Sequence, residues 1–174
     1  LIEFDYDDGG RLLGIEDAAG NRTTVSRSVA GAAQAIRGPY GQVTGLEFDD
    51  NGYLQAVTDP AAYAWRMEYA PGGLLSAYID RNGNRAEYAY EADGRLQRDV
   101  DPAGGGWRLN RTSAPESYRV AMTSGEGRIH RFDVSYPAGG GRRQLSIGAD
   151  GSETITEFSA TRTTVTAADG TVSV

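Results

Sequence analysis

The chain has 174 residues, enough for one good core, with 24 glycines, 10 tyrosines and 39% hydrophobic residues. This is turn-rich, β-leaning and too aromatic for a disordered segment. Its net charge of −7, with every basic residue an arginine, lacks the basic stripe that a phosphate backbone demands and argues against nucleic acid. Cysteine is absent, so neither a disulfide framework nor thiol chemistry is available.

Along the chain, Gly10, Gly31, Gly52, Gly73 and Gly94 recur every 21 residues. Leu12, Leu54, Leu75 and Leu96 follow two residues later, and Asp17, Asp59, Asp80 and Asp101 five residues after those. Tyr6, Phe48, Tyr69 and Tyr90 precede the glycine by four. The second copy keeps the spacing but carries Arg27, Ala33 and Gly38 in the aromatic, leucine and aspartate slots. A fixed period of this kind means one supersecondary unit stacked on its neighbours.

Each unit reads as two strands and two turns. In Ala64–Tyr69, alternation puts Trp65, Met67 and Tyr69 on one face and Arg66 and Glu68 on the other. Asp7-Asp8-Gly9-Gly10 and its equivalents predict a type I turn closed by a left-handed glycine. In the second strand Leu12 and Ile15, Leu54 and Val57, and Leu75 and Tyr78 stand three apart, which predicts a β-bulge that re-aims one of them, the alternative being that both faces are partly buried. In the copy around Gly94, Asp99 takes the second apolar slot with Val100 displaced by one, so that copy is expected to depart from the others. Residues 28–41 are expected to form an irregular hairpin rather than a helix. Beyond Leu109, Asn110 to Ser117 reads as a polar connection. Strands are then predicted over 118–123, 128–136, 144–147, 153–159 and 162–166.

Units such as Tyr88-Ala89-Tyr90-Glu91-Ala92-Asp93-Gly94-Arg95-Leu96 followed by Asp101-Pro102-Ala103-Gly104 resemble the YD repeat of the Rhs family, shared with Tc-toxin C-components, wall-associated bacterial proteins and teneurins. The resemblance covers roughly residues 1–109. It implies an all-β antiparallel meander of hairpins forming a curved, spiral or shell-like sheet. The expected division is five repeats over 1–111 and a continued meander or spacer over 112–174. The implied role is a non-catalytic shell segment that encapsulates or scaffolds a toxin or other C-terminal domain in a secreted or cell-surface bacterial protein. The alternative is a surface adhesion or glycan-binding module, for which Trp65, Tyr69, Tyr88 and Tyr90 would line an open groove. Expected partners are flanking YD segments, an enclosed toxin domain and other copies paired through sheet edges. The missing Met at Leu1 suggests a piece of a longer chain.

No catalytic, cofactor or metal site is expected. The run Glu47 to Thr58 starts like a calcium loop but ends on Thr58 where a bidentate Glu is needed. His130 is the only histidine and suits a surface or edge strand; zinc would want more ligands. Pro137 to Arg143 lacks the Gly-Lys-Ser/Thr ending of a phosphate loop and reads as a hairpin tip. Asp101-Pro102 and Asp59-Pro60 fail the self-cleavage pattern of Rhs cores. No apolar run reaches the ~20 residues of a membrane-spanning helix.

Overall fold

The computed structural model describes residues 1–174 and contains seventeen strands and no helix. The chain divides into two compact units, Leu1–Ala86 and Glu87–Val174. The first unit holds β1 (Glu3–Tyr6), β2 (Leu12–Glu16), β3 (Arg22–Arg27), β4 (Ala33–Arg37), β5 (Val43–Phe48), β6 (Leu54–Thr58), β7 (Ala64–Tyr69) and β8 (Leu75–Ile79). β9 (Arg85–Tyr90) crosses the division. The second unit continues with β10 (Leu96–Val100), β11 (Gly106–Ala114), β12 (Ser117–Ser124), β13 (Ile129–Ser135), β14 (Arg142–Ile147), β15 (Glu153–Phe158), β16 (Thr163–Thr166) and β17 (Val172–Ser173). Within each unit every strand pairs antiparallel with its neighbours in sequence.

The turns obey one rule. Ten of them start at Asp7, Asp17, Ser28, Gly38, Asp49, Asp59, Ala70, Asp80, Glu91 and Asp101, so steps of 10 and 11 residues alternate. In each, the first residue's N–H bonds the carbonyl four residues on, and the fourth residue's N–H bonds the first carbonyl. The fourth residue lies in the left-handed region, as at Gly10 with φ 73°. Ala62 is the one non-glycine there, at φ 65°. These are the predicted type I turns with a left-handed fourth residue.

The predicted bulge also repeats. Tyr6 faces Leu12 while Asp5 faces Gly14, leaving Leu13 as the extra residue. The same shift leaves out Gln34, Gln55, Ser76 and Gln97. Each bulge carries two residues past one on the partner strand. Leu12 and Ile15 therefore share the face of Phe4 and Tyr6.

Three expectations need correction. Asn110 to Ser117 is not a connection: β11 runs through Ala114, and only Pro115-Glu116 separates it from β12. Its polar residues alternate across a paired strand, and the Arg111 guanidinium lies 4.0 Å over the Tyr118 ring. The second copy is not irregular, because β3 and β4 pair with the same bulge as the rest. The copy around Gly94 does not depart either: its bulge holds Asp99 in the apolar slot, opposite Tyr88 and Trp107. There, backbone spacing overrides side-chain polarity.

Neither unit has a conventional core. Only Ala56, Ala77 and Val134 are buried hydrophobics, and no large side chain is fully enclosed. Two independent compact domains of half this mass would together expose about 10,000 Å²; the chain exposes 11576 Å².

Candidate functional surface

In the first unit the register collects the apolar side chains on one face. Ile15, Val25, Ile36, Leu46, Val57, Trp65 and Tyr78 follow one another across β2 to β8, with Phe4, Tyr6, Phe48, Met67 and Tyr69 beside them. No second layer of this unit lies on this face. Phe4 and Tyr6 remain 53% and 58% exposed. Trp65 and Tyr69, and in the second unit Tyr88, Tyr90 and Trp107, are half-buried against their strand neighbours.

The Tyr69 hydroxyl donates to the Leu54 carbonyl at 2.7 Å, and its ring lies 5.0 Å from that of Tyr53. Arg27, in the aromatic slot of the second copy, makes the equivalent bond: Nη2 donates to the Leu12 carbonyl at 3.0 Å, also fifteen residues back. Its Nη1 adds a bond to the Gly31 carbonyl. The turn of that copy is rescued in the same way, since the Gln42 carboxamide oxygen accepts the Tyr40 N–H where an aspartate would. Only the slot positions could have revealed either substitution, because the residue types give no hint.

The opposite face is built on small residues beneath charge. Ala77 is wholly buried (0%) and stands opposite Glu68, which binds Arg85 through two 2.7 Å contacts. Gly14 occupies the same slot between Asp5 and Thr24, and Arg22 reaches Asp5 across it. A Cβ added to Gly14 would come within 2.9 Å of the Arg22 guanidinium. These pairs are about half exposed, so each is worth little by itself. Their geometry is nevertheless specific, because each pair lies directly over a small residue, Gly14 or Ala77, that a larger side chain would displace.

The turn aspartates are occupied locally. Asp17 Oδ1 accepts the N–H groups of Ala19 and Asn21, and its Oδ2 accepts the Asn21 carboxamide. Asp49, Asp59, Asp80 and Asp101 repeat the two backbone bonds. The Asn21 side-chain bond, then the backbone N–H groups, hold the Asp17 carboxyl below its ordinary value; Asn84 does the same for Asp80. No group of three or more acidic, histidine or cysteine side chains is placed to hold a metal ion. Asp49 of the calcium-like run is tied into its turn in this way.

His130 lies edge-on to Trp107 with ring centroids 5.6 Å apart, half-buried on β13 opposite Met122. Pro137 to Arg143 includes the hairpin tip between β13 and β14, and Arg142 stacks 4.1 Å over Phe158. Asp101 serves its own turn, and Asp59 does likewise.

An antiparallel meander built on a 21-residue hairpin unit defines an all-β repeat protein. The sequence matches the family described as Teneurin YD-shell over residues 1–174, and the chain belongs to that family. Among solved structures, the crystal structure of TcdB2-TccC3-TEV aligns at 10% identity and a TM-score of 0.36. The TcdB2-TccC3-Cdc42 crystal structure aligns at 10% and 0.34. The Tc holotoxin pore of Photorhabdus luminescens, with a mutated TccC3, aligns at 11% and 0.34. Each alignment covers 98% of this chain and 14% of the other, so this chain spans about a seventh of their length. No curated protein matches the sequence.

Proposed function

We propose that this chain is a non-catalytic stretch of a YD shell that encloses or scaffolds a toxin or other C-terminal domain of a secreted or cell-surface protein. The supporting observation is the aromatic face of the first unit, which no second layer of that unit covers. In water that face loses the stabilisation of burial, roughly 1.5–3 kcal/mol per large side chain. Apposed to an enclosed polypeptide or to further shell, it recovers it. Residues 1–111 form the repeat portion and 112–174 its continuation, with flanking shell segments as partners. A glycan-binding role has less support, since Tyr69 is committed through both ring and hydroxyl.

The test uses the parent protein. Trp65→Glu with Tyr69→Glu should expose the enclosed domain to added protease while the native shell protects it. Digestion of that domain in the native protein as rapid as in the variant, with neither protected, would remove encapsulation from consideration.

A further inference from the structure

In four of the five repeats the slot under the charged face is Gly14, Ala35, Ala56 or Ala77, and in the last it is Arg98. Arg98 stands directly opposite Arg108 on β11. Like charges so placed oppose each other. The row across the sheet reads Ala89, Arg98, Arg108, Thr123, Ile129 and contains no carboxylate. Neither guanidinium has an acidic partner in the structure. The nearby acids are committed or misplaced. Asp101 serves its turn, Glu126 pairs with Arg128, Glu87 is already engaged, and Asp99 points to the aromatic face between Tyr88 and Trp107. Arg98 and Arg108 line an open depression of about 370 Å³ together with Thr123 and the glycines at 104–106.

Elsewhere the same surface answers an arginine with a carboxylate from another strand: Asp5 with Arg22, Glu68 with Arg85, and Asp133 with Arg119. We infer that Arg98 and Arg108 form a binding site for a carboxylate, supplied by an acidic peptide segment laid across β10 and β11. Two planar guanidinium groups carried by directly paired residues can serve the two oxygens of one carboxylate. The Thr123 hydroxyl, next in the row, offers a further donor. The occupant supplies the acid that completes the row, as Asp5 and Glu68 do in their own repeats.

The 174-residue chain, 15N-labelled at low salt, would be titrated with the peptide acetyl-Asp-Glu-Asp-amide, with sodium chloride and with inorganic phosphate. The site predicts saturable shifts of the Gly106 and Thr123 amides and of the Arg98 and Arg108 Nε–H groups, with the peptide alone. Arg98→Ala and Arg108→Ala should each weaken binding at least fivefold. Arg98→Ala restores the residue type of three sister repeats, so it is expected to fold. Shifts no larger than with sodium chloride, or shifts that survive in both variants, would overturn the site. Phosphate binding tenfold tighter than the peptide would overturn the carboxylate assignment.

Discussion

The first unit and the end of the second solve the same problem differently. From β1 to β8 the large apolar residues gather on one face, with Val43 and Ile79 on the other side beside Arg37 and Arg66. In the second unit Val120, Met122, Phe132 and Val134 share a face across β12 and β13. On β14 and β15, however, Leu145, Ile147 and Ile155 stand on the opposite one, beside Asp133 and Arg131. Strand pairing continues unbroken through the change. The lesson is that pairing and facing are separable: backbone hydrogen bonds carry the meander onward, while the 21-residue period with its bulge keeps the apolar set in phase. Where the period stops, a one-residue difference in register is enough to turn a side chain over.

The sharpest way to test that regularity is at Ala77, which sits under the Glu68–Arg85 pair. Ala77→Leu should destabilise the chain by about 1–3 kcal/mol as an overpacked site. Ala35→Leu, in the same slot between Ser26 and Gly45 without a charged pair above it, should cost under about 0.5 kcal/mol, as for an ordinary surface site. Urea denaturation of both variants decides it, and equal losses would mean the charged pair imposes no size limit.

Tyr69→Phe comes next. It removes the donor to the Leu54 carbonyl and should cost about 0.5–1.5 kcal/mol. If Arg27 is a true replacement for tyrosine, Arg27→Met should show a loss of the same order. A neutral Arg27→Met would separate the second copy from its sisters. Ala62→Gly tests the turn rule with the opposite sign. Relieving the left-handed alanine should raise stability by about 0.5–1 kcal/mol, read as a higher melting temperature.

The smallest effect is the acid limb. Asp17 and Asp80 are held below their ordinary value in the folded chain, so the unfolded chain binds protons first. Their contribution is fully present above about pH 3.9 and is lost as pH falls through the lowered folded values. Asp17→Asn with Asp80→Asn, which keeps the oxygen that accepts the two backbone N–H groups and loses the one that accepts the Asn21 or Asn84 carboxamide, should flatten stability against pH in that window. An unchanged acid slope would assign the dependence to other carboxylates, such as Glu68 and Asp133, whose values Arg85 and Arg119 lower.

The turn and bulge chemistry was legible in the sequence because glycine, aspartate and the three-residue leucine spacing each have one local cause. The second copy was harder. Arg27 and Gln42 replace tyrosine and aspartate by making equivalent hydrogen bonds from unlike side chains, and similarity of residue type cannot see that. Asp99 misled for a related reason, since the bulge fixes its position whatever its polarity. The strand through Arg111 and Ser113 was hidden by its polar composition. That the first unit adds no covering layer of its own was not legible from the alternation. A row of alternating apolar residues looks the same whether the face is enclosed or open.

That open face is the central claim, and Trp65 reports on it directly. In a Trp107→Phe background, acrylamide quenching of the remaining tryptophan would be followed over a dilution series. The account predicts ready quenching in dilute solution, with protection growing as concentration brings other copies onto the face. Protection that persists at every dilution would mean that the aromatic face of the first unit is covered within a single chain, contradicting the account.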